Sequence, residues 1–372
     1  MEKKKNKQLK IVLSGGGTGG HIYPAIAVGR ELLQQENVEK VYYVGNPKNL
    51  EKTLIEKENF EFLPVKVSGM PKTKNMALIS WFGELAFAVL NCLKYFAKIK
   101  PDAVLGTGGY VSGPALIAAK LLNIPFMLHD SDAIPGIVTR KMAPFAKVVN
   151  TSFEDAKKYI KSKKITLNGN PLRNDFGKFD KKESLRKLDL STEKLTILVM
   201  GGSQGAKSIN TAISNCALGL IEELNLQIIH QTGLKNFESY MDNISSELRN
   251  NPSYLVKPYL DDMATYLSCA DLVIARAGSL SLSEFNLCGL PAILIPYPYA
   301  AHNHQFHNAK ALENLGAAIC LEDKLCDGDN LFEIVSSLTK DKERLEAMKL
   351  ANIKQSKPQA TQKIVEELLS LV

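Results

Sequence analysis

Tryptophan occurs once in the 372 residues, the six cysteines form no CxxC pair, and there is little excess charge beyond the first ten residues. Without paired spacings, Cys92, Cys216, Cys269, Cys288, Cys320 and Cys326 read as reduced core thiols of a cytosolic protein. The formal charge is +7, but MEKKKNKQLK sets five Lys against one Glu, so that tail holds +4 and leaves +3 for the rest. So small an excess argues against a nucleic-acid partner and is compatible with an anionic membrane surface. No apolar stretch follows the basic N-terminus, because residues 11–13 run straight into glycines, and no signal peptide is expected. With 45% hydrophobic and 23% charged residues, disorder, collagen and a small stapled fold are excluded, and the length predicts two domains, each with its own core.

Only one long apolar run is present, MALISWFGELAFAVLNCL at 76–93, and its single charge, Glu84, lies at its middle. An acid there costs a few kcal/mol in a bilayer, so a spanning helix is rejected. Leu78, Phe82, Leu85, Val89, Leu93 and Phe96 recur at spacings of three and four and predict an amphipathic helix facing a core, with Ile79 and Trp81 off that stripe.

Elsewhere short apolar runs alternate with helical patterns. Strands are expected at 10–14, 41–44, 62–65, 103–106, 126–129, 148–151 and 165–168, then at 195–200, 226–231, 254–257, 272–275, 292–296 and 318–321. This is the βαβ signature of parallel sheets covered on both faces. The polar stretch 168–182, headed by GNPLRND, separates the two series as a hinge, and both halves open on a strand, a glycine-rich turn and a helix. The fold class is therefore α/β, two Rossmann-like doubly wound domains facing a central cleft where the carboxyl ends of both sheets meet. A last apolar-periodic helix near 362–371 is long enough to pack on either domain.

In SGGGTGGHIYPA (14–25) glycines surround Thr18 before a helix start, a pattern that lets backbone amides approach an anion. Gly15, Gly17 and Gly20 match GxGxxG, but the second strand ends in Val44, Gly45 and Asn46, without the acid a dinucleotide ribose wants. GGSQGAKS (201–208) misses a Walker A by Ala206, whose methyl would crowd the phosphate cradle. TGGYVSGP (107–114) is a third glycine turn, with Tyr110 in it; alone it reads as a tight turn with a half-buried ring. In RAGSLSLSE (276–284) the serines can cap a helix or bond phosphate, and Glu284 is spaced to reach ribose hydroxyls, against the plainer reading of a helix-start acid favoured by the macrodipole. His21, just after the first loop, suits a general base, or else a helix-start residue bonding a carbonyl. His302, His304 and His307 match no zinc spacing and read as helix-start polar residues.

Together GGGTGGHIYPA, GTGGYVSGP, GNPLRND, GGSQGA, HQTG, YLDDMA, RAGSLSLSE and the HQ at 304–305 resemble, nearly end to end, the MurG family of bacterial peptidoglycan glycosyltransferases. Members add N-acetylglucosamine to undecaprenyl-pyrophosphoryl-N-acetylmuramyl-pentapeptide (lipid I) to make lipid II. The resemblance implies a GT-B fold and an inverting transfer from UDP-GlcNAc to the 4-hydroxyl of the acceptor, without a metal or other cofactor. It implies a peripheral location on the cytoplasmic face of the bacterial cell membrane, with other cell-wall synthesis proteins as further partners. It divides the chain into an acceptor- and membrane-binding domain at 1–170 and a UDP-GlcNAc-binding domain at 171–349, with the helix at about 350–372 free to pack back on the first. By the resemblance His21 is the base, and Thr18, Gly19 and Gly20 lie near the donor and the acceptor's pyrophosphate. Tyr110 belongs to the substrate site, Arg173 and Ser203 contact donor phosphates, and Leu260 offers its backbone to the uracil. Ser279, Leu280, Ser281, Leu282, Ser283 and Glu284 hold phosphate and ribose, and Gln305 bonds GlcNAc hydroxyls. Asp132 is a departure: a common family form has Asn there, and an acid cannot donate its amide hydrogen bond. Ile79, Trp81 and Phe82, flanked by Lys72, Lys74, Lys94 and Lys98, form the expected membrane patch. Another glycolipid transferase or a UDP-GlcNAc epimerase would share fold and donor. A non-catalytic, nucleotide-sugar-binding recruitment subunit would have a broken catalytic set, whereas His21 and Glu284 are both present.

Overall fold

The computed structural model describes residues 7–48, 50–71, 76–173, 176–202 and 204–372. The chain divides into two units, Met1–Leu172 with Lys357–Val372, and Arg173–Ser356. In the first, β1 (Leu9–Ser14), α1 (Gly19–Leu32), β2 (Val38–Gly45), α2 (Leu50–Ile55), β3 (Glu61–Pro64), α3 (Met76–Ile99), β4 (Ala103–Gly106), α4 (Ser112–Leu121), β5 (Phe126–Asp130), α5 (Ile137–Met142), β6 (Val148–Thr151) and β7 (Ile165–Thr166) follow one another. The strands form one parallel sheet in the order β3-β2-β1-β4-β5-β6-β7. Both faces are covered, which is why the strands read as continuous apolar runs. Along β1, Ile11 and Leu13 face a core with Ile22, Ile26 and Leu32 of α1, while Val12 faces the opposite core with Cys92 and Phe96 of α3 and Leu116 of α4. Burying each such side chain contributes roughly 1.5–3 kcal/mol.

The second unit carries α6 (Lys181–Lys187), β8 (Thr196–Met200), α7 (Lys207–Glu222), β9 (Gln227–Gln231), α8 (Phe237–Asn243), α9 (Ser246–Arg249), β10 (Tyr254–Lys257), α10 (Met263–Cys269), β11 (Leu272–Ala275), α11 (Ser279–Cys288), β12 (Ala292–Leu294), α12 (His304–Asn314), β13 (Ala318–Cys320), α13 (Gly328–Lys340) and α14 (Lys342–Gln355). Its parallel sheet runs β10-β9-β8-β11-β12-β13. Strand order reverses between β1 and β4 in one sheet and between β8 and β11 in the other, so each sheet has a switch point where doubly wound folds take ligands. The final helix, α15 (Ala360–Leu369), packs on α1 in the first unit, with Ile364 and Leu368 in the core beside Ile22.

Helix α3 departs from the expected stripe. Its fully buried residues are Ala88, Cys92 and Phe96, with Leu85, Leu93, Tyr95 and Ile99 packed beside them, whereas Phe82 is 57% exposed. The core is reached by the C-terminal part of the helix, so among the described residues the expected inward stripe is largely uncovered at Phe82. Met76, Ile79, Phe82, Phe87 and Leu90 all lie at the surface. By length and composition alone α3 could cross a membrane.

Candidate functional site

In the first unit the loop between β1 and α1 meets the one between β4 and α4. Three of its glycines are needed for packing. A Cβ on Gly15 would overlap the Thr107 hydroxyl, one on Gly16 would overlap the Glu51 carboxylate, and one on Gly17, at φ +90°, would lie 3.0 Å from the Tyr110 ring. Gly19 and Gly20 meet only the edge of Tyr23 and the Thr18 hydroxyl, at 3.1 and 3.6 Å. Thr18 is extended, and its carbonyl accepts from the His21 and Ile22 amides at 3.1 and 3.3 Å. No side chain caps the helix and its first turn has no acid. The amides of Gly19 and Gly20 thus head a 14-residue helix in a setting suited to an anion.

His21 lies on the GTGG turn. A Cβ on Gly108 would come within 2.7 Å of its Nδ1, and one on Gly109 within 3.0 Å of its Cδ2, so bare backbone makes room for the ring. The Thr107 hydroxyl donates to the His21 carbonyl at 2.7 Å and fixes the helix start. Tyr110, half-buried, closes over Gly17.

Beneath this loop is a buried polar layer. The Asn150 amide donates to His129 Nδ1 at 2.7 Å, which leaves His129 Nε2 to donate to Asn170 Oδ1 at 3.1 Å. Burial drives the His129 pKa down to about 4, and the nearby His21 pushes it the same way. Asp130 is also buried. Its carboxylate accepts the Asp132 and Gly136 amides at 3.2 and 3.0 Å and so shapes the loop that presents Asp132. Burial first, and the charge of Asp132 second, push the Asp130 pKa up to about 7. Asp132, half-buried, is therefore electrostatically coupled to both Asp130 and His129.

In the second unit the turn after β11 opens α11. Gly278 is the N-cap and has no side chain to cap with, and helical bonding begins where the Leu282 amide meets the Gly278 carbonyl at 3.1 Å. The first-turn amides of Ser279, Leu280 and Ser281 therefore face outward from the helix. Ser283 donates to the Ser279 carbonyl at 3.1 Å, and Glu284 is half-buried one turn in. Leu260 is buried as a side chain, which leaves its backbone as the polar group it can offer a ligand, whereas Leu282 is buried too and its amide is taken by the Gly278 carbonyl. Gln305 lies in the first turn of α12, and its Oε1 accepts the Tyr297 amide at 2.9 Å. Arg173 is exposed beside Phe176, and Ser203, Lys72 and Lys74 lie outside the described residues. His304 Nδ1 bonds the Ala301 carbonyl at 2.8 Å, and no metal-holding group of three His, Cys, Asp or Glu occurs among the described residues.

Several residues that build these sites carried no signal of their own. Arg276 donates to the Ile295 and Pro296 carbonyls at 3.1 and 3.3 Å and to Ser208 at 3.0 Å, and pairs with Asp323 at 2.5 Å. It ties the turn before α11 to the loop after β12 and to the start of α7. Asn308 donates to the Ala277 carbonyl at 3.2 Å and holds the same turn from α12. Glu51 and Thr107 do comparable work in the first unit. Only contacts across tens of residues reveal them.

His230 of HQTG is buried and structural. Its Nε2 faces Asn210 Oδ1 at 3.1 Å and its Nδ1 the Tyr254 hydroxyl at 2.7 Å, which in turn meets Tyr240. Burial pushes its pKa down to about 3, so the unfolded chain binds a proton that the folded one refuses. This contribution is full above the unfolded value near 6.5 and is lost as pH falls toward 3. His230→Ala should cost a few kcal/mol at pH 7.5 through the cavity and the two orphaned partners. The gap to wild type should narrow by about 1.4 kcal/mol per pH unit below 6.5 in denaturant titrations; a gap independent of pH would contradict a neutral, buried His230.

The family model described as the glycosyltransferase family 28 N-terminal domain matches residues 11–151, and the family 28 C-terminal domain matches 196–364. The chain is 39% identical over 364 residues to a UDP-N-acetylglucosamine–N-acetylmuramyl-(pentapeptide) pyrophosphoryl-undecaprenol N-acetylglucosamine transferase of Halothermothrix orenii, covering 96% of this chain and 97% of that one. It is 36% identical over 361 residues to the protein of the same name in Desulforamulus reducens, with the same coverage. Among solved structures it is similar to the crystal structure of Acinetobacter baumannii MurG, with a TM-score of 0.78, 27% identity, and 98% and 99% of the two chains covered. A putative UDP-N-acetylglucosamine 2-epimerase of Listeria monocytogenes superposes at a TM-score of 0.70 with 15% identity over 98% and 96% of the chains, a likeness of fold alone.

Proposed function

The chain belongs to glycosyltransferase family 28, and on that premise we propose that it moves N-acetylglucosamine from UDP-GlcNAc to the 4-hydroxyl of the N-acetylmuramyl unit of undecaprenyl-linked lipid I, giving lipid II for peptidoglycan. The observation that carries this reading is end-to-end identity of 36–39% with relatives that bear the name of that transferase. The fold, two doubly wound parallel sheets, is GT-B. Inverting transfer needs a base on the acceptor hydroxyl and stabilisation of a UDP leaving group. His21 removes the acceptor proton as the hydroxyl oxygen attacks the anomeric carbon from the face opposite UDP, whose bond to that carbon breaks. The start of α11, with Arg173 and Ser203, takes up the charge developing on the diphosphate, Glu284 holds the ribose, Leu260 bonds the uracil through its backbone, and Gln305 binds the sugar. Gly19 and Gly20, at the start of α1, receive the acceptor's diphosphate. Asp132 faces the sugars as an acceptor where an asparagine would donate. The first unit is the acceptor domain and the second the donor domain.

Product mass tests the acceptor. Lipid I analogue should gain one N-acetylhexosamine while diacylglycerol gains none; glycosylated diacylglycerol would move the assignment to a glycolipid transferase.

A lipid acceptor requires the enzyme to work at the membrane, and the proposed seat is the cytoplasmic face of the bacterial cell membrane. Supporting it are the exposed Ile79, Phe82, Phe87 and Leu90 on α3, with Lys94 and Lys98 exposed on the same helix. Trp81 is a weaker anchor than its type suggested: half-buried, it donates from Nε1 to the Ser68 carbonyl at 2.9 Å, beside Glu84, which accepts from the Ser68 hydroxyl at 2.6 Å. Ile79→Asp with Phe82→Asp should weaken binding to anionic vesicles and activity on long-chain acceptor while sparing activity on a short-chain soluble analogue, and wild-type binding should fall as salt rises. Equal loss on both acceptors would make these residues structural.

A further inference from the structure

Glu51 has no part in the reaction as described, yet it is fully buried beside the first glycine loop. Its Oε1 accepts the Gly17 amide at 2.9 Å, 34 positions away in the chain. Its Oε2 is buried with no hydrogen-bond partner among the described residues. The loop is shaped to admit it, since any side chain on Gly16 would overlap Oε1. A buried acid with one bare oxygen is a poor way to gain stability, because an uncompensated carboxylate oxygen costs more than one hydrogen bond returns. What the arrangement does achieve is a fixed loop. With Gly17 held by Glu51 and the Gly15 carbonyl held by the Tyr43 hydroxyl at 2.7 Å, the turn is pinned from below on two sides. The same turn carries the Gly17 face against which Tyr110 rests, and it leads directly into Thr18, Gly19, Gly20 and His21.

We propose that Glu51 is a positioning residue for the transfer, holding the Gly15–Gly17 turn through the Gly17 amide so that the start of α1 and the His21 ring are set for the acceptor. This rests on the functional reading above and deepens it in one respect. Because Glu51 takes the Gly17 amide, the acceptor's diphosphate is left to the amides of Gly19 and Gly20 at the helix start, and the glycines before Thr18 serve the loop's shape.

Three variants separate reach from charge. Glu51→Asp keeps the charge but draws it back by one methylene; Glu51→Gln keeps the reach and an acceptor oxygen but drops the charge; Gly16→Ala pushes the carboxylate away. With lipid I analogue as acceptor, Glu51→Asp and Gly16→Ala should lose about 10²-fold in kcat/KM for the acceptor, the scale expected when reacting groups shift by about 1 Å. UDP binding by calorimetry should be unchanged in both. Glu51→Gln should keep turnover near wild type, because its amide oxygen still accepts the Gly17 amide. Wild-type enzyme is run in the same assay: a silent wild type overturns the transferase reading, whereas an active wild type matched by Glu51→Asp overturns the role of Glu51. An active Asp variant with an inactive Gln variant also overturns it, since charge and not the held amide would then matter, as would parallel loss of UDP binding in all three.

Discussion

Replacing His21 by alanine should lower kcat by about 10²–10⁴-fold and leave the KM for UDP-GlcNAc within a few-fold of wild type. The size follows from losing proton transfer to a positioned base, and the split follows from where the residue sits. His21 belongs to the first unit, at the head of α1, while the residues assigned to UDP belong to the second. The substitution should also leave the loop standing, because the Thr107 hydroxyl holds the His21 carbonyl, not its ring, and alanine suits a helix start. Steady-state kinetics with a short-chain acceptor measure both parameters. Near wild-type turnover would remove His21 from the chemistry and turn attention to Asp132, the half-buried acid coupled to the same polar layer. His21→Ala combined with Asp132→Asn distinguishes these cases: if His21 is the base, the second substitution adds little to the first.

Glu284→Ala should weaken UDP and UDP-GlcNAc together by about 10–100-fold, the range for a lost hydrogen bond to a charged group. It should also erase discrimination between ribose and 2′-deoxyribose donors, since the carboxylate is assigned to the ribose hydroxyls. The geometry behind this is a single half-buried acid one turn inside α11, whose first-turn amides suit the diphosphate and whose N-cap brings no side chain to compete. The turn is braced by Arg276 and Asn308, so truncating Glu284 leaves the helix start in place. Calorimetric titration of UDP and 2′-deoxy-UDP into both proteins measures it. Unchanged affinity for UDP would reduce Glu284 to a residue that favours the helix dipole and nothing more.

Most strands were legible because they are short, largely apolar runs followed by helical periodicity, many of them bounded by glycine, asparagine or proline. Residues 103–106, 148–151, 254–257 and 272–275 are strands at the expected limits, and the others differ by one to a few residues where pairing continues or stops at an edge. The glycine loops were legible as loops, but not which glycine does what: Gly16 is shaped by Glu51, which lies in the charged stretch EKTLIEKEN and looks like any solvated helix residue until the chain folds. The α3 stripe departs from its periodicity at Phe82 because periodicity gives a face and not the length of core available to cover it. Trp81 stood out for its type, and its indole is spoken for by a backbone carbonyl in the segment after β3, a contact no local pattern encodes. His230 carried the opposite lesson: a histidine inside a family motif, at the end of a buried strand, forms a neutral network that supports the second sheet.

Use of UDP-GlcNAc as a glycosyl donor to lipid I is read out by the release of UDP with and without a lipid I analogue. UDP should appear in proportion to glycosylated acceptor, with little or none when acceptor is omitted, and the signal should be lost in His21→Ala. UDP released at the same rate without acceptor, or UDP-GlcNAc converted to another hexosamine with no acceptor consumed, would contradict it.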